Sequence, residues 1–336
     1  MIDLRSDTLT MPSIGMKEAM FSTELGDDVF EEDPTVISLE NKAALMFGKE
    51  AALFCPSGTM TNQIAINIHT QPGDELICSR ESHVYNYEGG GIAKNSGVSM
   101  RLIERTSGLI NHNDVISNIN IDDVHYPITS LVVLENTSNR GGGICYQLSE
   151  MKKISKVSRD NNLKIHLDGA RVFNAIVRNR ENVIEYGDIF DSVSVCLSKG
   201  LGAPIGSLLI GDANFIHKAR RVRKVMGGGM RQVGIIAAAG IYALEHNINR
   251  LKDDHRRAEI ISNAAKKCTW VDKVIQTETN IIVLYIVSKH TNDEFISKLN
   301  EEGVLCIAFG KGRVRMVTHL DISDHDVAYI AKKLKF

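Results

Sequence analysis

Apolar residues along the chain fall into two alternating rhythms. Short runs that are apolar nearly throughout read as strands: Ala51–Phe54, Glu75–Cys78, Val98–Ile103, Leu131–Glu135, Lys164–Asp168, Ser192–Leu197 and Ile205–Ile210. Runs without a polar face suit parallel strands that are covered on both sides. Between them lie segments with helical spacing. Pro34–Phe47 carries Val36, Leu39, Ala43, Leu45 and Met46 near a 3.6-residue repeat, and Thr59–His69 follows a Ser-Gly turn. Leu148–Asn161 places Met151, Ile154 and Val157 on one side before Asn161-Asn162 end the helix. The alternation predicts an α/β fold whose large domain holds a mostly parallel seven-stranded sheet covered by helices.

Past about residue 245 the rhythm changes. Leu251–Lys267 reads as a long charged helix, and the cluster Asp253, Asp254, His255, Arg256 and Arg257 as its solvated face. Strand Asn280–Val287, helix Thr291–Glu302, strands Val304–Ala308 and Arg313–Val317 and a last helix Ser323–Lys333 follow, with Ser323 as N-cap and Asp326 at N3. That order suits a smaller C-terminal α+β domain. The expected division is an N-terminal arm over 1–14, a large domain over 15–246 and a small domain over 247–336, closely joined because no linker-like tract separates them.

Composition narrows the function classes. The 336 residues hold 39 Lys plus Arg against 41 Asp plus Glu, so no cationic surplus points to nucleic acid. No apolar run approaches the roughly 20 residues of a bilayer span. The segment MIDLRSDTLT bears Asp3, Arg5 and Asp7 where a signal peptide would be apolar, which points to the cytoplasm. The six cysteines include no C-x-x-C pair, and no histidine pair forms H-E-x-x-H, so no metal site is expected.

Candidate chemistry gathers at strand ends. Lys199, in Ser198-Lys199-Gly200, follows a buried strand, where the ligands of open α/β sheets bind. A partly desolvated amine there can act as a nucleophile; a surface loop lysine is the bland alternative. Asp168 closes the strand one βα unit earlier, and an aspartate so placed either caps the next helix or pairs with a protonated ring nitrogen. Ser57, Gly58 and Thr59 lie between a strand and a helix, either as an empty cap or as a phosphate site. His83 in Ser82-His83-Val84-Tyr85 could stack on a flat ring or sit at the surface, and His125 is equally ambiguous. Arg171, Arg313 and Arg5 are candidates for a carboxylate fork, with Ser6 preferred to Arg5 if the arm folds over the site. Gly227-Gly228-Gly229-Met230-Arg231 is either a flexible turn or a loop that brings Arg231 to an anion, even across a subunit boundary. The stretch Gly200–Gly206 holds Pro204 and leads into a strand, so the dinucleotide-loop context fails.

Taken together, L-R-S-D-T, G-D-D-V-F-E-E-D-P-T, G-K-E-A-A-L-F-C-P-S-G-T-M-T-N-Q, H-L-D-G-A-R-V-F-N-A, C-L-S-K-G-L-G-A-P-I-G-S and G-G-G-M-R-Q resemble the low-specificity L-threonine aldolases, pyridoxal-phosphate enzymes of the aspartate-aminotransferase fold type I. The resemblance spans essentially the whole chain. It implies retro-aldol cleavage of β-hydroxy-α-amino acids with pyridoxal 5'-phosphate as cofactor. It implies that Lys199 joins the cofactor, Asp168 partners the pyridine nitrogen, and Ser57, Gly58 and Thr59 form the phosphate cup. By the same resemblance His83 stacks on the ring, and Ser6, Arg171 and Arg313 take the substrate carboxylate. Tyr87 would lie near the substrate side chain, and His125 near its hydroxyl together with His83. Arg231 and Lys224 would be supplied to a neighbouring subunit, so a dimer or tetramer with shared sites is expected. The base stays open between His83, His125 and a water on the phosphate. Other enzymes on the same cofactor, or a non-catalytic binder of it, remain the rival readings.

Overall fold

The computed structural model describes residues 1–335. Seven strands form the large sheet. In chain order after β1 (Ile2–Asp3) they are β2 (Ala51–Cys55), β3 (Glu75–Ser79), β4 (Ser99–Ile103), β5 (Thr129–Glu135), β6 (Lys164–Gly169), β7 (Ser192–Cys196) and β8 (Ser207–Gly211). Their spatial order is β2-β8-β7-β6-β5-β3-β4. Every neighbouring pair is parallel except the two that involve β8, which runs against both β7 and β2. Strands β3, β7 and β8 are buried along their full length, as the apolar runs required.

Helices cover both faces of this sheet. Pro34–Met46 starts on Asp33, whose Oδ1 accepts from the amides of Thr35 and Val36. Leu148–Asp160 ends at Asn161, and Asn162 takes the left-handed backbone (φ 58°) that Asn tolerates. The pattern left Ile14–Phe21, Val172–Asn179, Val183–Ile189 and Ala213–Val225 unassigned, and all four are helices.

The smaller unit carries an antiparallel sheet. With β9 (Val271–Val274), β10 (Ile281–Ile286), β11 (Val304–Leu305), β12 (Ile307–Ala308) and β13 (Arg313–Val317), its order is β12-β13-β10-β9. The expected strand Val304–Ala308 is therefore split, and β11 pairs in parallel with β1. Leu4 is fully buried in the core of this unit beside Val304 and Met316. The arm is thus knitted to the C-terminal part of the chain. The last helix, Asp324–Lys333, begins with the expected reciprocal cap between Ser323 and Asp326.

The charged helix departs from expectation. Leu251–Ala265 joins both cores: Leu251 packs into the large one, and Ala258, Ile261 and Ala265 into the small one. Its charge run is consequently not all solvated. Asp254 is fully buried and paired with Arg250, and His255 Nε2 bonds Asn174 Oδ1 at 2.9 Å. A helix wedged between two layers has no single outward face.

Candidate active site

The carboxyl ends of β5, β6 and β7 meet on one rim. Glu135 ends β5 directly beside Asp168 on β6, which in turn pairs with Ser194 on β7. Asp168 is 2% exposed; its Oδ2 accepts from Asn62 Nδ2 at 2.9 Å and its Oδ1 from the Ala170 amide. Lys199 follows β7 and lines a small cavity with Cys196, Ala170, Arg171 and Asn174. The charges of Asp168 and Lys199 both act on His83, so the three groups share one end of the sheet.

Beside them, Ser57 caps the helix Gly58–His69 through Oγ, which accepts from the Met60 amide at 3.2 Å. That bond leaves the first amides of the helix for an anion. Gly58 is required by packing: a Cβ there would meet Cys196 Sγ at 2.6 Å. The helix start is therefore pressed against the strand that leads to Lys199. Thr59 is exposed at the same turn.

His83 opens the helix His83–Asn86, and its amide donates to Glu135 Oε2 at 2.6 Å. Its Nδ1 lies 2.9 Å from Glu88 Oε1, and its ring is 5.6 Å from that of Tyr87. Burial would lower the imidazole pKa, but the bond to Glu88 and the charges of Asp168 and Glu88 raise it. Glu88 is buried and accepts from His83 Nδ1, Asn62 Nδ2 and Gln63 Nε2, which leaves it no role as a donor. His83, Glu88 and Asp168 bring ligand-type atoms within 4.8 Å of one another, but these hydrogen bonds already engage them. Burial pushes the Glu135 carboxyl up to about 7, with the Asp168 charge adding to the effect and two backbone amides opposing it.

The arginines are arranged differently from the sequence expectation. Arg171 is buried, and its Nε and Nη2 each donate to Asp7 at 2.7 Å, so this fork is taken by the arm rather than open to a ligand. Asp7 also accepts from Asn280 Nδ2 at 3.1 Å. Burial would raise its carboxyl pKa, but Arg171 and, further off, Lys199 hold it far below the usual range. Arg313 stands at the strand start over Phe309, near Gly310. It is Arg315, two residues on, that enters the cluster. Arg315 is 8% exposed, donates to Asn139 Oδ1 and to the Arg5 carbonyl at 3.0 Å, and has a buried Nε with no partner. Burial and the positive charges of Arg171 and Arg140 push its pKa down to about 10. Arg140 Nη1 donates to the Tyr87 hydroxyl at 3.1 Å. Ser6 sits next to Arg5, its Oγ accepting from the Thr8 amide.

Three expected residues are not brought to this rim within one chain. His125 precedes β5 at the strand's amino end, opposite to Glu135; seven residues of strand separate the two ends by about 20 Å. Its side chain is 82% exposed and Nδ1 bonds Asp123 at 2.7 Å. Arg231 pairs with Asp27 at 3.0 Å, and Lys224 is exposed at the end of helix Ala213–Val225. The Gly228 backbone on the intervening loop does press against Met60 of the capped helix.

Sequence reasoning passed over Asp7, Asn62, Glu88, Glu135 and Arg315 as individual residues. Period-two alternation puts Arg313 and Arg315 on one face but cannot say which reaches the rim. Asp7 and Asn62 lay inside quoted motifs without a role.

A parallel sheet with a lysine, a buried carboxylate and a capped helix start on one rim defines a pyridoxal-phosphate enzyme of fold type I. The donor set suits that cofactor: an amine to join it, an acid for its ring nitrogen, and free helix amides for its phosphate. Residues 3–288 match the β-eliminating lyase family. Low specificity L-threonine aldolase of Escherichia coli is 41% identical over 98% of this chain and 97% of its own length. Low-specificity L-threonine aldolase 1 of Arabidopsis thaliana is 39% identical over 98% of this chain and 94% of its own. The solved structure of Leishmania major threonine aldolase superposes with a TM-score of 0.85 at 18% identity, covering 99% of this chain and 98% of that one, which speaks to the fold. The chain belongs to the low-specificity L-threonine aldolase family.

Proposed function

We propose that this protein cleaves L-threonine, L-allo-threonine and related β-hydroxy-α-amino acids to glycine and an aldehyde by retro-aldol opening of the Cα–Cβ bond. The observation that carries the reading is Arg315: a buried guanidinium with an unpartnered Nε, beside other cations, on the rim that holds Lys199 and Asp168. A carboxylate is what would settle such a charge.

When bound, pyridoxal phosphate supplies an electron sink for the pair left at Cα. Lys199 would anchor it through Nζ, and Asp168 would pair with its protonated ring nitrogen. Ser57, Gly58 and Thr59 would receive the phosphate, with the helix start as the positive end of a dipole. Arg315 and Ser6 take the substrate carboxylate, while Arg171 fixes the arm through Asp7. By fixing the carboxylate, the clamp would decide which bond of the substrate is presented for cleavage. His83 is the assigned base: Nδ1 donates to Glu88, which leaves Nε2 to accept the proton of the β-hydroxyl. Tyr87, held by Arg140, borders the side-chain end of the site.

We further assign the catalytic unit to a homo-oligomer, a dimer or tetramer, with Lys224, Arg231 and His125 serving a neighbouring copy. Their support is position: all three are exposed, and Val225 and Val124 beside two of them are apolar and exposed. The chain is divided as an arm over 1–14, a cofactor domain over 15–246 and a small domain over 247–336, with the first turns of the arm paired to the last of these. No helix among the described residues is long and apolar enough to cross a membrane.

Incubation with L-threonine and L-allo-threonine, followed by assay of aldehyde and glycine against ammonia and keto acid, tests the reading. Aldehyde with equimolar glycine is expected. Ammonia and keto acid in their place would assign the site to β-elimination instead.

A further inference from the structure

Behind Asp168 runs a second set of polar side chains that the reaction does not use. Asn62 and His69 lie two turns apart on the helix Gly58–His69, and His166 stands two residues before Asp168 on the same face of β6. Ser192 on β7 is the register partner of His166. Asn62, His166 and Ser192 are essentially inaccessible to solvent. The contacts are continuous: His69 Nε2 to Ser192 Oγ 2.8 Å, Ser192 Oγ to His166 Nδ1 2.8 Å, His166 Nε2 to Asn62 Oδ1 3.1 Å, and Asn62 Nδ2 to Asp168 Oδ2 2.9 Å.

The direction of every bond is dictated by chemistry. One terminal atom of Asn62 lies 2.9 Å from both Asp168 Oδ2 and Glu88 Oε1, so it must be the amide nitrogen, and the other is the carbonyl oxygen. That oxygen can only accept, so His166 carries its proton on Nε2. Burial pushes the His166 imidazole down to about 4 and His69 to about 3, so each ring is neutral at pH 7 with one donor and one acceptor. His166 Nδ1 therefore accepts from the Ser192 hydroxyl, whose oxygen accepts from His69 Nε2–H. All four dipoles point the same way.

We propose that His69, Ser192, His166 and Asn62 form a one-way hydrogen-bond chain that ends on Asp168 and, as a set of positioning residues, tunes how firmly that carboxylate holds the cofactor's ring nitrogen. The chain hands Asp168 a hydrogen bond without adding a countercharge that would compete with the ring for it. Aligned hydrogen bonds polarise one another, so its far end contributes too. The second Asn62 proton goes to Glu88 Oε1, the same oxygen that meets His83 Nδ1, so one amide fixes the ring partner and the base relative to each other. The inference rests on Asp168 facing the cofactor.

The first test is ¹⁵N NMR of imidazole-labelled wild-type protein, with and without cofactor. Neutral Nε2–H tautomers at His166 and His69 are expected; an Nδ1–H tautomer or a charged ring at His166 would overturn the chain, whatever the enzyme does. The second test breaks it. Ser192→Ala and His166→Leu each remove one link and should weaken cofactor affinity by roughly 3–10-fold, the loss of about one hydrogen bond, and shift the visible band of the holoenzyme. His166→Gln, which can donate and accept across the same gap, should keep wild-type values. Wild-type affinity and spectrum in both breaking variants would refute the tuning. Asp168→Asn with unaltered cofactor affinity would instead refute the assignment of Asp168 itself.

Discussion

A buried guanidinium keeps its charge only where something compensates it, and Arg315 is compensated in part. Two of its donors are satisfied by Asn139 and the Arg5 carbonyl, and its Nε is not. Arg313, on the same strand face and over the same Phe309 ring, is only half-buried and has no such burden. The two should therefore separate in kinetics. Arg315→Ala is expected to raise KM for L-threonine by about 10–100-fold, the worth of a charge-assisted hydrogen bond, while Arg313→Ala stays within about threefold, as surface substitutions do. Steady-state kinetics on the pair checks this; the reverse order would return the clamp to Arg313. At Lys199, replacement by Ala should abolish both turnover and the borohydride-sensitive visible band. Normal threonine cleavage by that variant would remove the amine from the account. Residue identity at these places was legible where a type is rare in context, as with a lysine after a buried strand. It was not legible between Arg313 and Arg315, whose difference is one of depth.

At the scale of elements, neighbouring strand ends create the electrostatics. β5 and β6 pair so that Glu135 and Asp168 stand side by side, a like-charge contact in a buried place. Burial is the larger cause and this contact adds to it, so the Glu135 carboxyl is raised from its ordinary 4.5 to about 7. The sign of the consequence follows from linkage. Between about pH 4.5 and 7 the folded chain keeps a proton that the unfolded chain has lost, so unfolding free energy falls as pH rises through that window. Urea denaturation of the cofactor-free protein across this range should show the decline, and Glu135→Gln should flatten it. An unchanged slope in the variant would clear Glu135. The strands themselves were readable from apolar runs because both faces of a parallel sheet are covered. Helices such as Val172–Asn179 and Ala213–Val225 were passed over although each buries one apolar face, because an eight-residue element, or one rich in Arg and Lys, reads as a connection between strands.

For the whole molecule, the arm and the small domain complete the rim. Asp7 reaches Arg171 of the large unit and Asn280 beside β10, and β1 joins β11. Lys224, Arg231 and His125 lie away from this rim within one chain. If these serve a second copy, two inactive variants should complement. Lys199→Ala and Arg231→Ala, mixed under conditions that allow subunits to exchange, should recover activity that neither has alone. Failure to recover it in proven hybrids would confine each site to one chain. The seven-stranded α/β sheet, the lysine after a buried strand, the strand-end aspartate and the capped helix start at Ser57 were determined by the sequence itself, because hydrophobic period and strand-end chemistry are local properties. Only the tertiary structure decided that Arg171 is already claimed by Asp7, that Arg315 outreaches Arg313, that Asp254 is buried, and that His125 stands at the far end of β5. Those outcomes depend on which distant segments become neighbours, and distance along the chain carries no record of it.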